Sequence, residues 1–303
     1  MPTNQNKQNG QNSQNVLPVA ALLIGAVIWG LLWYPYRLLE QAGISGPVAT
    51  AITYVMALLL GLVVFRKHLR KTQMPGSGGS HLLFGIALFA GWTNLAYVLG
   101  VIHGEIMRVL LLFYLAPLWT IVFARFLLNE VLSLHGYLVI AFSLAGAIIM
   151  LWQPDNGVSL HSSYGDWMGL SAGFTFALSN VLSRKDQYHS VQLKSVAVWI
   201  GVALIAFGYS LFLADLPVLS DISTKTYLLL LGVGLVVFAL SVIVQYGLTH
   251  TPANRAIVIM LVELVAAAVA AYFLTDEVMA LREWLGGAMI VSASLLSARM
   301  NRE

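Results

Sequence analysis

Long apolar runs recur along almost the whole chain, and short polar segments separate them. A helix needs about 20 predominantly apolar residues to cross the hydrocarbon core of a bilayer, and ten runs approach or reach that length. The pattern therefore predicts an all-α membrane protein with ten transmembrane helices. The predicted spans are Leu17–Pro35, Val48–Phe65, His81–Val101, Ile106–Arg125, Leu134–Leu151, Trp167–Ser183, Val196–Leu213, Tyr227–Leu248, Ala256–Leu274 and Leu281–Ser297.

The second half of the chain repeats the first at a constant offset of 147 residues. The segment Met107 to Leu134 aligns without gaps on Asn254 to Leu281. Internal repetition of this kind indicates two structural units built on one plan, which we place at residues 17–152 and 164–299. Four polar pairs keep the offset: Arg37 with Arg184, His103 with His250, Arg108 with Arg255, and Glu130 with Glu277.

Five spans in each repeat is an odd number, so the second repeat is expected to enter the bilayer from the side opposite to the first. Such inverted repeats are typical of secondary transporters, whose substrate site lies near the bilayer midplane between the repeats. Residues 1–16, before the first span, are polar and rich in Asn and Gln. We expect them to form a disordered cytoplasmic tail.

The composition excludes a water-soluble globular protein, because 59% of the residues are hydrophobic and only 10% are charged. With the amino terminus in the cytoplasm, most Lys and Arg residues fall on the cytoplasmic side, as the positive-inside rule requires. Both termini are therefore expected to be cytoplasmic. The net charge of +3 reflects this distribution over loops, and no nucleic-acid partner is expected.

The chain contains no cysteine, which excludes disulfides, thiolate metal ligands and cysteine nucleophiles. Its seven histidines lie in loops or at span ends and form no HExxH motif, so we expect neither a metal site nor a cofactor. An intramembrane enzyme would need a nucleophile and a base facing each other at membrane depth, and no histidine lies there. We therefore do not expect an enzyme.

A recurring motif connects the chain to a known family. The residues Arg108, Pro117 and Asn129–Glu130, followed in the second half by Arg255, Glu263 and Asp276–Glu277, resemble the paired EamA domains of the drug/metabolite transporter superfamily. The resemblance implies a ten-helix carrier that works by alternating access, usually an exporter of small metabolites in the bacterial inner membrane. Within the superfamily, the chain looks similar to the YddG-like branch of aromatic amino acid exporters.

The chain departs from the family pattern at one pair of positions. The second repeat has Glu263–Leu264 where family members often carry Glu-Pro, and the first repeat has Ala116–Pro117. Each repeat keeps only one half of the pair, so mechanistic detail that depends on the pair does not transfer intact.

Glu263 is the leading candidate for a substrate residue, because an acid near the middle of a span is costly unless it faces a protein interior or water. It would act as a proton carrier or as the counter-charge of a substrate ammonium. The structural alternative pairs it with Arg255, which lies about 12 Å away along a continuous helix. Arg108 and Arg255 are candidate gating residues; the alternative for each is an interfacial arginine that extends to the lipid headgroups.

Aromatic and amide side chains supply a candidate wall for a cavity that would hold an amphiphilic solute by stacking or cation–π contact. The alternative is an interfacial aromatic belt, which fits Trp33, Tyr34, Tyr36 and Trp119 at least as well. A hydroxyl stripe on the sixth span, Ser171, Thr175 and Ser179, is interpreted as a helix–helix contact. The candidate cavity residues are Trp29, Trp92, Asn94, Tyr97, Tyr114 and Gln245.

The sequence thus predicts a secondary transporter that exports amino acids or similar small amphiphilic metabolites by alternating access. The alternative within transport is a multidrug-type efflux carrier of lipophilic cations. A non-transporting membrane scaffold is the alternative from another class. Proton coupling, the direction of net flux and the oligomeric state stay open.

Overall fold

The computed structural model describes residues 5–71, 79–103, 106–151, 163–212, 223–274 and 281–297, which contain helices and no β-strand. The first half comprises α1 (Gln5–Leu31), α2 (Trp33–Gln41), α3 (Gly46–Val64), α4 (Arg66–Lys71), α5 (Ser80–His103), α6 (Ile106–Phe113), α7 (Ala116–Phe123), a π-helical turn (Ala124–Leu128) and α8 (Leu134–Leu151). The second half comprises α9 (Tyr164–Lys185), α10 (Val191–Phe212), α11 (Thr224–His250), α12 (Ala253–Met260), α13 (Val262–Leu274) and α14 (Leu281–Leu296).

The all-helical, multi-pass membrane character is confirmed. Six helical segments are long and apolar enough to cross a bilayer, and three further apolar helices are shorter. The helix α9 is not among these nine, because it carries several buried polar side chains, among them Asp166, Thr175 and Asn180. Each of the ten predicted spans falls on helix, but the number of crossings stays a prediction.

The first, fourth and ninth predicted spans are each broken into two helices. The first is interrupted at Leu32, just before Pro35, and the other two are interrupted at Tyr114–Leu115 and at Leu261. The helix α1 begins at Gln5, upstream of the first residue of the first predicted span, Leu17.

The packing of the helices repeats between the two halves. The offset of 147 residues relates α1 to α9, α3 to α10, α5 to α11, α6 and α7 to α12 and α13, and α8 to α14. The helix α5 packs on α9 and α10, and the equivalent helix α11 packs on α1 and α3. The helices α6 and α7 pack on α9, as α12 and α13 pack on α1. The two halves are therefore interleaved, and the core lies between them.

Candidate functional site

Two helix breaks at equivalent positions of the two repeats define the candidate site. The first separates α6 from α7 at Tyr114 and Leu115, and the second separates α12 from α13 at Leu261. Tyr114 and Leu261 are related by the internal offset of 147 residues. Broken helices that meet near the centre of a repeat pair are a common way to build a transporter binding site.

The break in the first repeat has a covalent cause. Pro117 has no backbone N–H, so the carbonyl group of Phe113 loses its usual helical donor. This carbonyl oxygen lies against α9 at Gly173, where any added Cβ would collide with it. A residue other than glycine at this position would therefore push α9 away from the break.

The second break forms without a proline. The N–H of Leu264, the residue equivalent to Pro117, bonds to the Leu261 carbonyl at 3.1 Å, and the N–H of Leu261 reaches the Ile257 carbonyl at 3.3 Å. These bonds close a tight turn between α12 and α13. The sequence contains no local signal for this break other than its equivalence to the first.

A narrow cavity lies between the two breaks, with room for about one water molecule. Among the residues that line the cavity, only Glu263 has a carboxyl group, and none has a basic side chain. Glu263 takes the position equivalent to Ala116 of the first repeat, so the acid is present on one side of the cavity only. The lining consists of Tyr114, Ala116, Pro117, Phe176, Ile257, Met260, Leu261 and Glu263.

Two of the predicted site residues line this cavity, and a third packs against the apolar cluster beside it. The side chains of Tyr114 and Glu263 both line the cavity, and Tyr97 of α5 packs against the apolar cluster that contains Tyr114. The ring of Phe113 lies edge-on to Tyr97 at 5.3 Å and to Tyr114 at 5.2 Å between ring centroids. Two phenol groups and one carboxyl group therefore lie in or beside one apolar cluster.

A second group of hydrogen-bonded residues continues from Tyr97 along α5. The Tyr54 hydroxyl donates to the Asn94 side-chain oxygen at 3.1 Å, and the Asn94 amide donates to the Ala90 carbonyl at 2.9 Å. On α2, the Tyr36 hydroxyl is 2.8 Å from the Thr53 hydroxyl. For Tyr36 the sequence fitted an interfacial belt at least as well as a cavity. Sequence reasoning missed Tyr54, although Thr50, Thr53 and Tyr54 form a polar group within an otherwise apolar span.

Neither predicted cavity tryptophan is among the residues that line the cavity. Trp29 packs against the apolar cluster that contains Tyr54. Its neighbour Gly30 is the point where α1 approaches the site, because a Cβ at Gly30 would lie 2.5 Å from the Glu263 carbonyl oxygen. Trp92 is 37% exposed, and its indole donates to the Ser171 hydroxyl at 3.2 Å. It therefore lies at the outer side of the contact between α5 and α9.

The hydroxyl stripe of α9 takes part in helix–helix contacts. In addition to the bond from Trp92 to Ser171, the Thr175 hydroxyl is 2.9 Å from the Thr93 hydroxyl of α5. Both bonds join α9 to α5, as interpreted from the sequence. Gln245 of α11 is buried, and its side-chain nitrogen has no hydrogen-bond partner in the part of the chain that the structure describes.

The structure describes the side chain of one of the two predicted gating arginines, Arg255. The Arg108 side chain lies outside the described residues. Arg255 is partly buried in the first turn of α12, and its Nε has no partner among the described side chains. No ion pair between Arg255 and Glu263 occurs among the described residues, and Tyr114 is the polar side chain that shares the cavity with Glu263. Within these residues there is also no group of three metal-ligating side chains.

Comparisons with known proteins relate the whole chain to membrane transporters. The sequence model of the EamA-like transporter family matches residues 16–152 and 163–299. An uncharacterized transporter of Archaeoglobus fulgidus is 24% identical over 92% of this chain and 96% of its own length. The S-adenosylmethionine uptake transporter of Rickettsia prowazekii is 26% identical over 79% of this chain and 77% of its own length. One crystal structure has the same fold, with a TM-score of 0.75 and 16% identity over 92% of this chain and 96% of that chain.

Proposed function

The chain belongs to the EamA-like transporter family, and from this premise we propose that it exports amino acids or similar small amphiphilic metabolites across the bacterial inner membrane by alternating access. The observation that carries the proposal is the cavity between the two equivalent helix breaks. One carboxyl group and one phenol project into an otherwise apolar and aromatic lining. This combination suits a solute that has an ammonium group attached to an apolar body.

The ammonium group of the solute pairs with the Glu263 carboxylate in this mechanism, and the Tyr114 hydroxyl orients that carboxylate. The apolar part of the solute packs on Phe176 and on the aliphatic side chains of α12. In the absence of solute, Glu263 binds a proton instead, which couples flux to the proton gradient. An acid at membrane depth can alternate between these two partners because each neutralises it.

The narrow cavity corresponds to a closed state of the carrier. An amino acid is much larger than one water molecule, so the solute enters only when helices separate at the breaks. The carrier opens alternately at the two ends of the interleaved repeats, and this movement gives alternating access. In this proposal the chain crosses the membrane ten times and both termini are cytoplasmic. We also propose that the chain is related to the YddG-like exporters, because aromatic residues lie around Glu263.

One relative supports the amino-acid part of this proposal. The Rickettsia prowazekii protein is named an S-adenosylmethionine uptake transporter, and S-adenosylmethionine contains an α-amino acid group and a positive charge. A carboxyl group in an aromatic site suits both features. The name also describes uptake, so the direction of net flux through the present protein must be measured in its own right.

Lipophilic cations are the second candidate substrates, because no basic side chain lines the cavity to pair with a solute carboxylate. Flux of radiolabelled phenylalanine and of tetraphenylphosphonium into proteoliposomes separates the two candidates. We expect phenylalanine flux in the wild type, its loss in Glu263→Gln, and its retention in Glu40→Gln, which removes an exposed acid at the end of α2. Cation flux without phenylalanine flux would favour the second candidate, and phenylalanine flux that persists in Glu263→Gln would contradict the role of the acid.

A further inference from the structure

The first turn of α12 lacks the capping group that a buried helix start normally has. Pro252 occupies the N-cap position and offers no side-chain hydrogen bond to the first N–H groups of the helix. Free N–H groups at a helix start carry partial positive charge and bind anions readily. A helix start alone does not define a binding site. The side chains around it must therefore supply further groups that bind an anion.

The side chain of Asn254, in that first turn, is fully buried and has no partner for either of its polar atoms among the described residues. An asparagine side chain has two N–H donors and an acceptor oxygen. Burial of all of these without a partner is rare in folded proteins. The next residue, Arg255, likewise has an Nε without a partner.

The neighbouring end of α9 has further buried polar atoms without a hydrogen-bond partner among the described residues. Ala253 shares an apolar cluster with Val181, which places the start of α12 beside this end of α9. The Asn180 side-chain nitrogen and the Ser183 hydroxyl flank Val181 in sequence, and both lack partners within the described chain. Nitrogen donors and a hydroxyl group are the groups that bind a carboxylate.

The acidic side chains at this end of the molecule are already engaged. Asp186 accepts a hydrogen bond from the His189 ring at 2.8 Å, and Glu130 lies 3.8 Å from Arg184. The buried Lys194 amine donates to the carbonyls of Ser183 and Asp186 and to the Thr249 hydroxyl. No described carboxylate is therefore hydrogen-bonded to the side-chain nitrogens of Asn254 and Asn180 or to the Nε of Arg255.

The first repeat shows that the fold does not require the two amides of Asn254 and Asn180. The helix α6 begins at the position equivalent to the start of α12, and Met107 stands there in place of Asn254. Trp33 stands in place of Asn180. Because Met107 and Trp33 occupy these two positions in the first repeat, packing alone does not account for the buried amides, whereas Arg255 has an equivalent arginine in Arg108.

We propose that Asn254, Arg255 and Asn180, together with the free N–H groups of α12, bind the carboxylate of a solute at the cytoplasmic end of the second repeat. The site lies one turn before Ile257, which lines the cavity. Asn254 and Glu263 are about 13 Å apart along α12 and α13 at the usual helical rise. An amino acid cannot span that distance, so the carboxylate site is a separate loading site that precedes the cavity.

This assignment rests on the proposed function for the identity of the solute and for the cytoplasmic orientation, but its test requires no transport. Thermal unfolding of the purified protein is measured with benzoate and with benzamide, its neutral counterpart. We expect benzoate to raise the unfolding midpoint in a concentration-dependent manner, since a ligand of the folded state stabilises it. Benzamide should have no such effect. Asn254→Leu should lose the shift, whereas Gln187→Leu, which removes an exposed amide at the end of α9, should keep it.

The absence of native cysteine allows the position of the bound anion to be tested as well. Ser183→Cys and Thr251→Cys each provide a single thiol at a position whose hydroxyl has no described partner. Benzoate should slow the reaction of either thiol with N-ethylmaleimide several-fold. This reaction also decides the matter if Asn254→Leu fails to fold.

Four results would overturn the proposal. These are equal effects of benzoate and benzamide, a benzoate shift that survives in Asn254→Leu, an effect of inorganic phosphate without one of benzoate, and protection of the thiol by phosphatidylglycerol vesicles alone. The last two would identify the anion as a free phosphate or a lipid headgroup. If the wild-type protein shows no phenylalanine flux but benzoate still raises its unfolding midpoint, the proposed substrate is contradicted and the carboxylate site is retained.

Discussion

The side chains of Tyr114 and Glu263 line the same cavity, Tyr114 from the first repeat and Glu263 from the second. Each group lies at a helix break, and the two breaks are equivalent under the internal offset of the chain. A substitution at either residue therefore alters the contact between the two repeats. Alternating access requires the repeats to move relative to each other at this contact.

Tyr114→Phe removes the hydroxyl that orients Glu263 in the proposed mechanism and keeps the aromatic ring. A hydrogen bond to a charged group contributes about 1.5–3 kcal/mol, so we expect the apparent KM for the transported solute to rise by about 10- to 100-fold. The concentration dependence of flux in proteoliposomes measures this change. Tyr188→Phe, at an exposed tyrosine, is the control and should leave KM unchanged. An unaltered KM in Tyr114→Phe would show that the hydroxyl does not orient the acid.

Gly30→Ala should separate α1 from α13. The added Cβ would lie 2.5 Å from the Glu263 carbonyl oxygen and 2.9 Å from the Ala266 side chain, and backbone on both sides leaves little freedom to adjust. Overpacking of this kind costs about 1–3 kcal/mol. We expect a lower unfolding midpoint together with reduced flux.

Gly232→Ala is the matched control for this substitution. Gly232 lies in α11, and an added Cβ there meets nothing within 4 Å. Because alanine favours helix over glycine by about 1 kcal/mol, this variant should be as stable as the wild type or more stable. Equal unfolding midpoints for Gly30→Ala and Gly232→Ala would contradict the close approach of α1 to the site.

The sequence predicts some features of the site and not others, for identifiable physical reasons. The cost of an acid within a span singled out Glu263, and the structure brings it together with Tyr97 and Tyr114. The same reasoning failed to distinguish Trp92 from these residues, because depth along a span does not tell which side of the helix faces the protein. Trp92 is therefore partly exposed although it is as deep as Tyr97 in the sequence pattern.

Helix breaks were predictable only in part. Pro35 and Pro117 mark two of the three interruptions, since proline removes an N–H donor. The break at Leu261 has no proline of its own, so the local sequence does not predict it. Likewise Asn254 gave no signal in the sequence, because an amide near a span end is ordinarily solvated, and only the structure shows that it is buried without a partner.

Leu264→Pro should be tolerated, because it restores at the second break the proline that the first break has. The substitution removes a single described backbone hydrogen bond, from the Leu264 N–H to the Leu261 carbonyl. Val269→Pro, in the middle of α13, removes an internal helical bond and clashes with the preceding turn, which costs about 3 kcal/mol or more. We expect folded, monodisperse protein for the first variant and severe loss of folded protein for the second. Equal losses would indicate that α12 and α13 behave as one continuous helix.

Lys194→Met tests whether the ends of α9 and α11 are held together by one buried amine. The Lys194 amine bonds to two carbonyl groups at the end of α9 and to the Thr249 hydroxyl at the end of α11. Methionine keeps most of the side-chain volume but leaves these acceptors buried without a donor, at a cost of about 1–3 kcal/mol for each acceptor that finds no new partner. We expect a clearly lower unfolding midpoint than in Lys185→Met, which removes an exposed charge from the same end of α9. If the two variants unfold at the same temperature, the carbonyl groups are satisfied by other donors and Lys194 does not hold the two helices together.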